Sequence, residues 1–332
     1  MSKYKIIVNP AAGRGAGEQA IPRIERMLSG YDLDFDLVRT ERPWHAAELA
    51  QEAADAGYDV VVAVGGDGTA NEVLNGLMLA KTTPIPSPSD PSPALPYEER
   101  EGEGRKTCAM GILCVGRGND FAYGMGIPAD LEVGCWALAQ DHRRTVDVGR
   151  VVGGQYPEGR YFGNGVGIGF DAVVGFEAVK MTRLTGFPSY IVAVLKTVFL
   201  YYKAPLAKIE YGGETITQPS LMISIMNGQR MGGGFYMAPE GKPDDGTFDL
   251  CIAHEVSRPR IFGLIPHFMQ GTQATQEPIK MGQARKVVVT AVEGVLPAHA
   301  DGETLCTAGQ RLEMELLPGQ IEIIYPPPEA VE

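Results

Sequence analysis

Two hydrophobic periods divide the chain. Up to about residue 144, short apolar runs alternate with longer stretches at helical spacing. Tyr4–Val8, Phe35–Thr40, Val60–Val64 and Met110–Val115 predict strands, and the β-branched run of Val60–Val64 reads as buried. Between them, Ile21, Ile24, Met27 and Leu28 share one helical face, as do Val73, Leu74, Leu77 and Met78. Further helices are predicted over the alanine-rich 46–56 and over Leu131–Gln140. This order predicts an α/β domain with an open, mainly parallel sheet and ligand loops at the strand C-termini. From Thr145 the pattern turns to strand alternation, as in Val146–Val152, Ala207–Tyr211 and Leu221–Asn227, with a helical stretch over 173–202. A second, β-rich domain of antiparallel sheets with helices is therefore expected over 145–310. The final runs, within 311–332, are expected to return to the first domain (1–144). Residues 82–106, rich in Pro and Ser and then in charge, read as an exposed insertion.

The turn after Val60–Val64 carries candidate chemistry: Gly65-Gly66-Asp67-Gly68-Thr69-Ala70-Asn71-Glu72. Glycines let a backbone approach phosphate, and free N–H groups at the following helix start point at it. Thr69 and Glu72, three apart, have the spacing of a capping box. Asp67 is the odd member, because a carboxylate repels phosphate unless a cation or a proton to be moved lies between them. A second glycine-rich turn, Asn9-Pro10-Ala11-Ala12-Gly13, follows the first strand and matches neither a P-loop nor a dinucleotide fingerprint.

The net charge of −12 argues against nucleic acid and against a broadly electrostatic grip on anionic lipid. The five cysteines are scattered without a CxxC pair, as expected of reduced thiols in a cytoplasmic protein. A strand is expected almost from the first residue, leaving no room for a signal peptide. No apolar stretch is long enough to span a bilayer, so at most a peripheral membrane contact is expected.

Gly65-Gly66-Asp67-Gly68-Thr69-x-Asn71-Glu72 resembles the signature of the diacylglycerol kinase catalytic domain family, and its core is shared with NAD kinases and phosphofructokinases. Later segments favour the lipid kinases. Gly116-x-x-Asn119-Asp120-Phe121-Ala122 resembles the family's Pro-x-Gly-Thr-x-Asn-Asp-Phe-Ala segment, although Cys114 and Arg117 replace its proline and threonine. Arg117 is chemically compatible with phosphates. Gly169-Phe170-Asp171-Ala172 and the run Asn227 to Leu250 resemble the bacterial diacylglycerol kinases.

The resemblance implies an ATP-dependent, Mg²⁺-requiring kinase acting on a diacylglycerol-like or sphingosine-like lipid hydroxyl at the inner membrane face. It implies nucleotide contacts from Asn9, Pro10, Ala11, Ala12, Gly13, Thr40, Gly66, Asp67, Gly68, Thr69, Ala70, Asn71, Glu72, Arg117, Asn119 and Asp120. A structural magnesium is implied at the Asp245 carboxylate and the carbonyls of Lys242 and Thr247; by itself that run is a solvated acidic turn. In Ala300-Asp301-Gly302-Glu303 the resemblance implies Asp301 as the proton acceptor with Glu303 nearby, and Asp67 as the acid that orients the metal. His299 reads as a turn residue without a role. The rival readings are a NAD kinase or other small-molecule kinase, and a non-catalytic nucleotide-binding protein. The oligomeric state stays open, a homodimer among the options.

Overall fold

The computed structural model describes residues 2–80, 108–116, 118–179, 187–200 and 204–326. The 82–106 insertion and Arg117 lie outside the described residues, as do 180–186 and 201–203 of the expected helical stretch.

Four strands, β1 (Lys3–Val8), β2 (Asp34–Arg39), β3 (Val60–Gly65) and β4 (Ala109–Cys114), are parallel in the order β2-β1-β3-β4. Every residue of β3 and β4 is buried, which explains why both read as unbroken apolar runs. Helices α1 (Ala16–Gly30), α2 (His45–Asp55), α3 (Asp67–Leu79), α4 (Asp120–Gly124) and α5 (Leu131–Gln140) connect or flank them. The Asp130 carboxylate caps α5 by accepting from the N–H groups of Glu132 and Val133. Gly76 of α3 lets that helix ride on α2, because a Cβ there would sit 2.1 Å from the Ala47 carbonyl oxygen.

The remaining strands are β5 (Arg143–Gly153), β6 (Tyr156–Phe162), β7 (Gly165–Gly169), β8 (Leu206–Tyr211), β9 (Glu214–Met226), β10 (Arg230–Met231), β11 (Phe235–Tyr236), β12 (Phe248–His254), β13 (Ile279–Ala284), β14 (Lys286–Glu293), β15 (Leu296–Ala300), β16 (Glu303–Gly309) and β17 (Arg311–Ile324). Their pairings are antiparallel save that of β17 with β4. β8 alternates between buried and half-buried positions, the pattern of a strand with one face on a core. The helical stretch is two helices, α6 (Phe170–Val179) and α7 (Phe187–Leu200), and α8 (Arg258–Gln270) follows β12.

The two final runs are one strand rather than two. β17 pairs with β14 through Arg311–Glu315, shifts register between Leu317 and Ile321, and reaches β4 at the Ile323–Met110 pair. The sheet therefore continues from the β-rich part into the parallel part.

Candidate active site

Three loops at the C-terminal ends of β1, β3 and β4 meet. Asn9 ties the first to the second: its Nδ2 donates to Thr69 Oγ1 at 3.0 Å, while its Oδ1 accepts from Ala11 N. Gly13, at φ +58°, leaves no room for a Cβ, which would lie 2.2 Å from the Val115 carbonyl oxygen. A Cβ on Gly116 would lie 2.4 Å from Gly66 Cα, so the second and third loops touch backbone to backbone. Asn119 adopts a left-handed conformation and begins α4. Thr40 stands at the end of β2, its N–H donating to the Val8 carbonyl oxygen.

The expected capping box is absent. Helix α3 begins at Asp67 with Gly66 as its cap, and no side chain bonds the first-turn N–H groups. Thr69 accepts from Asn9 and Glu72 accepts from Ala46 N instead. The helix start therefore presents uncapped donors beside two glycine-rich loops, a setting suited to phosphate.

Acidic groups converge next to these donors. The half-buried Asp67 accepts from Phe121 N at 2.8 Å. Burial, then the charge of Asp120, pushes its carboxyl up to about 7. Asp120 is buried, and accepts from Arg230 Nε at 3.0 Å and from Gly233 N at 2.7 Å. Burial raises its carboxyl, opposed by those two partners. Glu303 lies close by, its Oε1 being 3.1 Å from where a Cβ on Gly68 would stand.

Asp301 is placed differently from the proton-accepting role implied for it. Its Oδ1 accepts from Asn164 N and Gly165 N, and its Oδ2 from Gly163 N and Asn71 Nδ2, at 2.8–3.0 Å. The residue is 4% exposed at φ +46°. Burial pushes the carboxyl up, and the hydrogen bonds pull it down. With two donors on each oxygen, no lone pair is left for an incoming hydroxyl. Asp301 thus holds the β6–β7 turn to α3, whereas Asp67 is bonded by the backbone of Phe121 and Asn119.

Asn75 and Arg160 of this region escaped the sequence reading, and Asn71 was expected at the nucleotide rather than here. Asn71 and Asn75, one helical turn apart on α3, both bond the Tyr161 backbone of β6. Arg160, also buried, donates to Asn71 Oδ1 and to the Tyr156 hydroxyl and stacks 4.1 Å from the Trp44 ring centroid. For Asn75, the helical spacing from Asn71 was the available signal.

Lys242, Asp245 and Thr247 belong to another neighbourhood. Asp147 of β5 accepts from Gly246 N and Gly319 N, and donates through its own N–H to the Pro243 carbonyl oxygen. Burial, with the charges of Asp245 and Asp244 adding to it, raises the Asp147 carboxyl. These all-oxygen donors fit a hard cation that would relieve the repulsion. Among the described residues, no three Asp, Glu, His or Cys side chains converge on one metal position, so backbone carbonyls would have to complete the shell.

A cavity of about 440 Å³ lies in the β-rich part. Its wall is mostly apolar, drawn from β9, α6, α7 and α8, with Leu221, Met222, Val194, Leu264 and Phe268 among the contributors. Gly232 and Gly302 also line it; each is next in sequence to a residue of the acid cluster, Gly233 bonding Asp120 and Gly302 following Asp301. All five cysteines are free thiols, and burial pushes those of Cys108, Cys114, Cys135 and Cys251 up to about 12.

Comparison with known proteins agrees with this architecture. A protein named diacylglycerol kinase from Mycobacterium tuberculosis is 25% identical over 333 residues, covering 98% of this chain and 96% of its own. One of the same name from Bacillus subtilis is 27% identical, covering 91% of this chain and 90% of its own. The crystal structure of a Bacillus anthracis diacylglycerol kinase superposes with TM-score 0.69 at 22% identity, covering 98% and 97% of the two chains. An Archaeoglobus fulgidus NAD kinase, solved in complex with ATP, gives TM-score 0.51 at 14% identity, covering 98% and 94%. Residues 3–151 match the diacylglycerol kinase catalytic domain and residues 164–325 the YegS C-terminal NAD kinase beta sandwich-like domain, so the chain joins a domain of the first kind to one of the second.

Proposed function

We propose that the protein transfers the γ-phosphate of ATP to the hydroxyl of a lipid. The observation that carries this reading is the apolar cavity of about 440 Å³, whose wall includes Gly232 and Gly302, the sequence neighbours of Gly233, which bonds Asp120, and of Asp301 and Glu303. A cavity of that size and lining suits an acyl chain better than a dinucleotide.

In this reading Asn9–Gly13, Thr40 and Gly66–Glu72 hold the nucleotide, its phosphates on the N–H groups of the glycine loops. The acceptor oxygen forms a bond to the γ-phosphorus as that phosphorus parts from the β-phosphate, releasing ADP. The hydroxyl proton passes to Asp67, whose raised carboxyl suits a base working near neutral pH. Asp301 keeps α3 and the β6–β7 turn in register during that step. Mg²⁺ would supply charge neutralisation for the phosphates, and a second ion at Asp245, Lys242 and Thr247 would brace the turn beside Asp147.

The lipid would reach the cavity from a membrane surface. Val192 and Leu195 of α7 and Met269 of α8 are exposed, while Val194 and Phe268 on the same helices line the cavity. Among the described residues no helix is long and apolar enough to cross a membrane. A peripheral stay at the cytoplasmic face of the inner membrane fits these features.

Incubation with radiolabelled ATP and a panel of lipids plus NAD tests the proposal. Label on a lipid is expected. Label on NAD alone, or nucleotide binding without transfer, overturns it.

A further inference from the structure

Two titratable side chains in the cavity wall have no part in the mechanism above. Asp171, at the start of α6, and His299, on β15, face each other with Oδ2 and Nε2 4.0 Å apart, their side chains 10% and 13% exposed. Asp171 Oδ1 accepts from Ala172 N at 2.8 Å, but among the described residues Oδ2 has only the Ser224 hydroxyl at 3.5 Å. His299 Nδ1 is buried without a partner among the described residues. The pair exists because residue 167 is glycine: a Cβ there would stand 2.2 Å from Asp171 Oδ2 and 2.5 Å from His299 Nε2. Burial holds the Asp171 carboxyl up to about 7 and the imidazole down at about 4. A poorly satisfied Asp171 Oδ2 facing His299 Nε2 in an apolar wall is costly, so the pair points to a polar group on the occupant.

A hydroxyl suits both, because it donates and accepts at once, whereas an ester carbonyl only accepts. β15 ends at Ala300, and the turn after it carries Gly302, which lines the same cavity as His299, and leads to Glu303, whose Oε1 reaches Gly68 in the loop of Asp67. We propose that the acceptor is a lipid with a second free hydroxyl beside the reacting one, bound between Asp171 and His299, so that single-chain lipids of this kind are preferred to diacylglycerol. This rests on the lipid-kinase reading and narrows its substrate class.

The test compares 1-acylglycerol, its 1-acyl-1,3-propanediol analogue lacking only that hydroxyl, and diacylglycerol. Binding is followed by displacement of a fluorescent fatty acid, and transfer by kcat/KM with ATP. The expected result is at least about tenfold weaker binding and lower kcat/KM for the analogue. D171L and H299F should each shrink that difference while their melting stays cooperative. Equal binding of 1-acylglycerol and its analogue by the unmodified protein overturns the proposal, as does a preference for diacylglycerol. A binding preference without phosphoryl transfer would support the hydroxyl site and refute only the kinase reading.

Discussion

Asp67 and Asp301 come from equally short glycine turns, yet their surroundings give them opposite work. Asp301 receives three consecutive backbone N–H groups, Gly163 to Gly165, and the Asn71 amide. Asp67 keeps one oxygen on Phe121 N and faces Asp120 across Gly118, where a Cβ would lie 2.9 Å from its Oδ2. Asp67→Asn should therefore lower kcat by at least about a hundredfold without loss of stability. Asp301→Asn should instead place an amide among donors and cost about 2–4 kcal/mol in urea unfolding. A stable Asp301→Asn protein with a hundredfold loss in kcat would return the base to Asp301. The sign of the pH effect follows from the raised Asp67 carboxyl. As the base, it must be unprotonated, so kcat/KM should fall as pH drops through about 7. For stability, the native state binds the extra proton between the ordinary value of 3.8 and about 7, so this group's contribution is lost as pH rises through that window. The sequence marked Asp301 as notable from its motif, but not its role, because its donors come from a turn distant in the chain.

At the scale of elements, legibility followed burial. Strands buried on both faces, such as β3 and β4, and the one-sided β8 announce themselves through period. The start of α3 did not, because Thr69 and Glu72 have capping spacing but spend their oxygens on Asn9 and Ala46. Spacing reports what a side chain can reach, and neighbouring loops decide what it takes. The same holds for the Asp244-Asp245-Gly246 turn, whose partner Asp147 lies on a distant strand and carried no signal of its own. If this turn holds a cation, added Mg²⁺ should raise the melting temperature of the unmodified protein, and Asp245→Asn should remove that rise, since a ligand confined to the native state stabilises it. An equal Mg²⁺-dependent rise in the variant would dismiss the site.

Across the whole molecule, the α/β and β-rich parts meet through a continuous sheet and a polar clasp. β17 supplies the first, and its register shift lets one strand serve both sheets, which is why its two apolar runs looked like separate strands. The clasp centres on Arg230, between the glycine hairpin of β10–β11 and α4. Its guanidinium lies 3.5 Å from the Tyr123 ring centroid while Nε bonds Asp120, and the Tyr123 and Tyr236 hydroxyls are 2.9 Å apart. Asp120 and Gly233 also bond, so the clasp fixes Gly232 at the cavity wall. Arg230→Ala would leave a buried carboxylate without its cation, and the expected loss is about 3–5 kcal/mol. Adding Asp120→Asn removes the stranded charge, so the double variant should be more stable than Arg230→Ala alone. Both variants should lose kcat/KM for the lipid, because the hairpin that lines the cavity is no longer tied to α4. Urea unfolding of the two single variants and the double variant gives the coupling energy directly. Strictly additive losses would mean that the two residues act separately and that β17, with the Asp301 hydrogen bonds, holds the parts together unaided.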